Sequence, residues 1–360
     1  MQTKKSQWFG LFLVTLLLMS LVCGCKAQAP VSDVPTKTVV DCMNREVVIP
    51  KYPQRVACLY ASTAHIMAML NQEDKIVGIP NGIKRDVLMA YKRPDIESVS
   101  VPFRESAINV EELLATNTDL VLIRQSTAEN KGEVEKLDKA GLPWVVVDYA
   151  SIADLKKAIT LTGNIFNVQS KAEGYNDYVN DTLTLVSQRV SAIPDASRVR
   201  VYHAVNEAAR TDLKGDICTQ ISDAAGLINV STQGGNLISD AEKTMTTLEQ
   251  IYNWNPDAII ANDANTTNYI LTDSKWTGLA AVKNQRVTTL PVGVTRWDHP
   301  GSIEPQMAAL FMAKLFYPEQ FSDIDLVQTT RDYYGKWFNL ELTDEDVTAI
   351  LSGKGMRLSK

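Results

Sequence analysis

The sequence predicts an α/β fold of two Rossmann-like lobes, each on a mainly parallel sheet, joined by one long α-helix, and three observations predict it. Short unbroken Val/Ile/Leu runs alternate with amphipathic helical segments, as expected of parallel strands covered on both faces. One helix–turn–strand unit occurs twice: Val110-Glu111-Glu112-Leu113 precedes Asp119-Leu120-Val121-Leu122-Ile123, and Leu248-Glu249-Gln250-Ile251 precedes Pro256-Asp257-Ala258-Ile259-Ile260. Glu111 to Asp119 and Glu249 to Asp257 are both eight residues apart, a repeat of two lobes and not of a solenoid. Between the units, residues 168–193 carry Ala172, Tyr175, Val179, Leu183, Val186, Val190 and Ile193 in steps of three or four, one apolar stripe on a helix about 39 Å long.

Taken in order, the chain opens with a signal. Lys4 and Lys5 precede an apolar run from Trp8 to Cys23, too short for a comfortable membrane span of about 20 residues and suited to a secretory core. Val22-Cys23-Gly24-Cys25 resembles a bacterial lipobox, which implies cleavage before Cys25 and lipid on that residue; a plain secretory signal or a short anchor helix is the alternative. Residues 1–24 form the signal peptide, and 25–36, small, polar and proline-containing, the lipidated cysteine and tether. The strand pair Thr38–Val40 and Val47–Pro50 turns at Asn44, a residue suited to positive φ. Arg55–Tyr60 is a strand, Ser62 or Thr63 caps a helix, and Lys75–Ile79, Asp119–Ile123 and Trp144–Val147 are strands, with helices over 110–115 and 131–140. In the second half Arg198–Ala204, Ala258–Ala261 and Arg286–Leu290 are strands and Cys218–Ala225 a helix. The lobes span 37–165 and 195–360, with the linking helix in 166–194.

Composition narrows the function. The 360 residues are 45% hydrophobic and 22% charged with a formal charge of −6, and loss of Lys4 and Lys5 takes the mature chain from −6 to −8. An acidic chain with no Lys/Arg block is a poor nucleic-acid partner. Beyond Cys23 and Cys25, the cysteines Cys42, Cys58 and Cys218 form no disulfide framework, and neither they nor the dispersed histidines His65, His203 and His299 show a metal-binding spacing. Cys58 reads as a buried free thiol. No GxSxG elbow, P-loop, GxGxxG or HExxH is present, so no enzyme activity and no cofactor are expected, with a lipid-anchored hydrolase the remote alternative.

The hairpin Val39-Val40-Asp41-x-x-Asn44-Arg45-Glu46-Val47-x-Ile49-Pro50, then Pro53-Gln54-Arg55-Val56, resembles the opening of the substrate-binding proteins of bacterial ABC importers, specifically the helix-linked class III type that takes ferric siderophores, haem and cobalamin. Asn109-Val110-Glu111 with Thr118-Asp119-Leu120-Val121, Leu248-Glu249-Gln250-Ile251 with Asn255-Pro256-Asp257, Tyr317-Pro318-Glu319-Gln320-Phe321 and Leu342-Thr343-Asp344-Glu345-Asp346-Val347 continue the likeness to the C-terminus. It implies a lipid-anchored extracytoplasmic monomer that captures an iron-siderophore-type chelate between its lobes and delivers it to an ABC permease coupled to a cytoplasmic ATPase. Haem, a corrinoid or a molybdate-type oxyanion is the alternative ligand. It further implies that one exposed glutamate per lobe, Glu111 and Glu249, docks onto the permease; Glu112 competes for the first position.

Ligands of such folds bind beyond the carboxyl ends of the strands. That rule nominates Tyr60, Ser62, Thr63, Arg104 and Arg124 on the first lobe. On the second it nominates His203, Asn206, Arg210, Asn262, Asp263, Arg296, Trp297 and His299. Guanidinium forks suit carboxylates or oxyanions, and an aromatic face suits a chelate's flat surface. His65 and His203 are the candidates for ligating a chelated metal or haem.

Overall fold

The computed structural model describes residues 34–239 and 243–358; the signal, Cys25 and most of the tether lie outside the described residues. The chain begins with the antiparallel pair β1 (Thr36–Val40) and β2 (Glu46–Pro50), whose turn places Asn44 at φ 60°. There follow β3 (Val56–Cys58), α1 (Ala61–Met69), β4 (Ile76–Gly78), α2 (Val87–Lys92), a small hairpin of β5 (Phe103–Arg104) and β6 (Ala107–Ile108), α3 (Val110–Ala115), β7 (Leu120–Ile123), α4 (Gln125–Glu129), α5 (Lys131–Lys139) and β8 (Trp144–Val146). Two long helices cross to the second half, α6 (Ile152–Phe166) and α7 (Gln169–Val190). The second half runs β9 (Arg200–Ala204), β10 (Arg210–Thr211), α8 (Ile217–Ala224), β11 (Ile228–Asn229), β12 (Ile238–Ser239), β13 (Thr244–Met245), α9 (Leu248–Trp254), β14 (Ala258–Ala261), α10 (Ala264–Thr272), α11 (Ala280–Lys283) and β15 (Val287–Thr289). It closes with α12 (Pro305–Phe316), α13 (Leu326–Phe338) and α14 (Asp344–Ser352).

Both principal sheets are parallel and have one plan. Their orders are β4-β3-β7-β8 and β11-β9-β14-β15, so each places its second strand first, then the first, third and fourth. The repeated sequence unit explains this. Asn109 and Thr247 cap α3 and α9 by accepting the N–H of Glu112 and Gln250, each at 3.1 Å. Asn117 and Asn255, at φ 50° and 42°, make the left-handed turn that reverses the chain, and the aspartate two residues on opens the strand. Asp119 accepts the backbone N–H groups of Gln54 (2.8 Å) and Arg55 (3.1 Å), while Asp257 accepts that of Arg200 (2.9 Å). In both halves the aspartate therefore staples the third strand to the start of the first.

Helix α7 starts and stops inside the expected 168–193. Its 22 residues make it about 33 Å long. Ala172, Tyr175, Val179, Val186 and Val190 are buried, with Thr182 completing the stripe and Leu183 only half-buried. One face packs on α6, where a Cβ at Gly163 would stand 2.6 Å from that of Ala172; the other packs on α12. Tyr175 Oη donates to the Ile303 carbonyl at 2.6 Å and meets Tyr333 Oη at 2.7 Å. One buried cluster thus runs from β3 and α1 through α6 and α7 to α8, α12 and α13, with smaller clusters beneath the outer face of each sheet.

The C-terminal residues return to the first half. Val87 N–H donates to Met356 O (3.1 Å) and Leu358 N–H to Arg85 O (2.9 Å), with Asp86 and Arg357 paired between them. Periodicity could not show this crossing, because it depends on long-range pairing of a three-residue segment. The helix after β3 also starts earlier than expected: Tyr60 is its N-cap, no side chain caps it, and Ser62 and Thr63 lie within its first turn. Cys42, Cys58 and Cys218 are free thiols, Cys58 fully buried. Among the described residues no helix is long and apolar enough to cross a membrane.

Asp257→Ala should lower the unfolding free energy by about 1–3 kcal/mol, the cost of stranding the part-buried Arg200 N–H, and Asp119→Ala, whose Gln54 and Arg55 donors are exposed and can turn to water, by about 0.5–1.5 kcal/mol. The measurement is the urea midpoint at unchanged m-value.

Candidate ligand-binding cleft

The carboxyl end of β3 and the loop after β15 meet at a cavity of about 140 Å³. Its wall includes Tyr60, Ala61, Ser62 and His65 from the start of α1, Gly82 and Asp86 from the segment before α2, Thr295, Arg296, His299 and Gly301 from the β15–α12 loop, and Arg357 from the C-terminal tail. The first turn of α1 presents its N-terminus here with no acidic residue in it, so the positive end of the helix dipole is uncompensated by its own side chains. Ser62 Oγ and His65 Nδ1 are buried without hydrogen-bond partners.

Arg296 is the central cation. Its guanidinium donates to Asn206 Oδ1 and to His299 Nε2, the latter at 2.9 Å, both neutral acceptors, and it makes no ion pair among the described residues. Asn206, at φ 65°, is itself fixed by its N–H to Asn262 Oδ1 at 2.8 Å. Burial and the nearby Arg210 and Arg85 lower the Arg296 pKa to about 10 against the pull of Asp263, which still leaves it charged at neutral pH. Arg357 pairs with Asp86, whose other oxygen lies 3.3 Å from His65 Nε2; burial and Arg85 lower its pKa to about 10 as well. Burial and then Arg296 and Arg210 push His299 well below the usual histidine value, and burial and then Arg357 push His65 to about 3. The histidines are thus neutral and the arginines charged.

Of the residues nominated from sequence, Tyr60, Ser62, His65, Arg296 and His299 line the cavity. Arg124 stacks over the Tyr60 ring at 5.3 Å, outside the lining, and Arg210 acts on Arg296 and His299 through its charge. Thr63 is turned inward, its Oγ1 donating to Tyr60 O at 2.7 Å. Arg104 stands on another face, paired with Glu112 at 3.0 Å beside Glu111. His203 is fully buried against Asp212 at 2.9 Å, behind Asn262, and so is not placed to ligate a cleft-bound metal or haem. Asp263 caps α10 by accepting Thr266 N–H at 2.9 Å. Trp297 is core, its indole N–H donating to Tyr334 Oη at 3.1 Å. Glu111 and Glu249 are exposed in the first turns of α3 and α9. Sequence reasoning missed Arg357, Gly82, Asp86 and Gly301; none carries a motif, and Arg357 reaches the cavity only through the returning tail.

His65 gives the cleft a titration signature. The unfolded chain takes up a proton near pH 6.5, whereas the folded one does not until about 3, so the unfolded state binds more protons between these values and stability falls as pH is lowered through that window. His65→Gln should flatten this acid limb, the difference from wild type shrinking by roughly 2 kcal/mol between neutral pH and about pH 4.5 in denaturant titrations.

The periplasmic binding protein family model matches residues 56–292. The chain is 26% identical over 347 residues to the molybdate-binding protein MolA of Haemophilus influenzae, covering 89% of this chain and 96% of MolA. It is 24% identical to the ABC transporter substrate-binding lipoprotein YvrC of Bacillus subtilis, with 90% and 100% covered. Among solved structures, MolA bound to molybdate superposes with a TM-score of 0.75 at 22% identity, over 85% of this chain and 99% of the other. A periplasmic solute binding protein from Veillonella parvula gives 0.76 at 26% identity, over 88% and 97%. With two parallel-sheet halves joined by a long helix and a cleft at their strand ends, the chain belongs to the periplasmic binding protein family, as an ABC transporter substrate-binding protein of the helix-linked class III type.

Proposed function

We propose that the chain captures a small tetrahedral oxyanion of the molybdate class in the α1 cavity and delivers it to an ABC permease. One observation carries this reading: an uncapped, acid-free helix N-terminus and two part-buried guanidiniums, that of Arg296 without an ion pair among the described residues, face a cavity of about 140 Å³. A buried cation without a counterion is costly, and an anion placed between Arg296, Arg357 and the first-turn N–H groups of α1 relieves that cost. The volume also favours an oxyanion over an iron-siderophore chelate, haem or corrinoid, since pockets for ligands of that bulk run to about 300–1,000 Å³. MolA, similar along nearly its whole length, is named for binding molybdate. Neutral His65 and His299 supply ring nitrogens at the cavity without adding charge, and Tyr60 and Ser62 supply hydroxyl donors.

In this reading residues 37–165 and 195–360 act as two lobes around 166–194. Glu111 and Glu249, exposed at equivalent positions, report lobe spacing to arginines on the permease, as rim charge pairs that speed encounter. The lipobox-like segment ends at Cys25, which carries the lipid and holds the monomer at the outer face of the cytoplasmic membrane.

Isothermal titration of dialysed protein tests the ligand class. Molybdate or tungstate should bind with one site per chain while ferric siderophores do not, and Arg296→Ala or Arg357→Ala should weaken binding roughly 10–100-fold, the loss of charge-assisted hydrogen bonds. Binding of a ferric chelate with no heat from any tetrahedral oxyanion would sink the proposal. Charge reversal at both Glu111 and Glu249 should abolish uptake in cells while leaving affinity unchanged; uptake at the wild-type rate removes the docking role.

A further inference from the structure

Beneath the cleft, on the second-half side, four side chains that the binding reading does not use come together: His203 at the end of β9, Asp212 after β10, Cys218 on the first turn of α8, and Asp298 in the β15–α12 loop. All are buried, His203, Cys218 and Asp298 completely. His203 Nδ1 lies 2.9 and 3.1 Å from the two Asp212 oxygens and 3.7 Å from Asp298. The ligating atoms of His203, Asp212 and Cys218 all fall within 4.8 Å of one another. Asn229 Nδ2 donates to Asp212 Oδ2 at 2.7 Å from the far side, as outer partners of metal-bound carboxylates do. Independently of the cluster's proximity, both Asp298 oxygens are buried with no hydrogen-bond partner. The group brings two carboxyls, a thiol and one imidazole together with no lysine or arginine among them.

We propose that His203 Nδ1, Asp212, Cys218 Sγ and Asp298 form a structural site for a zinc-type divalent cation. One nitrogen, one sulfur and two oxygens are the borderline donor set that zinc takes in closed, four-coordinate sites. Tetrahedral zinc sets its ligands roughly 3.3–3.7 Å apart, so the 2.9 Å His203–Asp212 contact must open by about half an ångström and the wider separations, up to 4.8 Å, must close around the ion. Binding would release the Cys218 thiol proton and leave the single imidazole proton of His203 on Nε2, toward which the Asn262 amide, 3.3 Å away, would have to present its oxygen; the cation would be taken up as the chain folds because the site has no solvent exposure. Three separate elements, β9, α8 and the β15–α12 loop, would be cross-linked. The last of them holds Arg296 and His299 on either side of Asp298, so the ion would fix the loop that shapes the cavity.

The test is metal content by plasma mass spectrometry on full-length protein produced with zinc or cobalt in the medium and then dialysed against a mild chelator. The expected result is roughly one equivalent per chain, a thiolate-to-cobalt charge-transfer band in the cobalt form, and loss of both in Cys218→Ser and Asp298→Asn. Circular dichroism identifies which variants remain folded. If Cys218→Ser does not fold, Cys218→Ala and the cobalt spectrum of wild type decide. Wild-type protein that folds metal-free, with an unfolding midpoint indifferent to zinc, overturns the proposal and leaves an imidazolium between two carboxylates. Metal retained undiminished in both folded variants also overturns it. None of these readings depends on oxyanion binding, so either proposal can fail alone.

Discussion

The constraint around which this molecule is arranged is the charge on Arg296. A guanidinium most of the way into the protein, hydrogen-bonded among the described residues to the neutral Asn206 and His299, is unfavourable unless the fold compensates it or function does. The fold declines to compensate. The acid nearest in charge terms, Asp263, is committed to capping α10, and Asp86 is taken up by Arg357. Two cations and a helix dipole therefore point at the same small volume, and the two histidines beside them are held neutral first by burial and then by the charges of Arg296, Arg210 and Arg357.

That field exists because parts of the chain far apart in sequence are held rigidly together. The residues after β3 and the loop after β15 meet at the cavity, and Asp119 and Asp257 fix β3 and β9 at their other ends. Helix α7 then spans both halves along one buried face, with Tyr175 tied to the Ile303 carbonyl at the start of α12. The C-terminal tail adds a second tie between halves, and it is the tail that delivers Arg357. Such a frame favours small closing motions over wide hinging, since any large opening would break the α7 packing and the Arg85–Leu358 and Val87–Met356 pairs together.

The architecture was legible in the sequence because its signals are local. Unbroken apolar runs specify buried strands, the α7 stripe has the helical period, and the Glu-to-Asp spacing encodes a helix, a left-handed asparagine turn and a strand, each set by neighbours within about ten residues. The cleft was legible in part: residues just after strands, such as Tyr60, Ser62 and Arg296, followed from the strand-end rule. What escaped was set by distance. Arg357 lies in a tail whose only instruction is to pair with residues 85–87. Arg104 obeyed the local pattern yet turned to Glu112 on another face. His203 sits at a strand end but points inward, because Asp212, nine residues on, receives its ring; no spacing rule predicts that, nor that Cys218 and Asp298 join them.

The most direct measurement of the central claim is a crystal structure of the protein soaked with tungstate, with anomalous differences recorded at a tungsten edge. The account predicts one strong peak inside the α1 cavity, with oxygen atoms within hydrogen-bond distance, roughly 2.7–3.1 Å, of the Arg296 guanidinium and of first-turn N–H groups of α1. A cavity without a peak, or a peak confined to surface lysines, would contradict it.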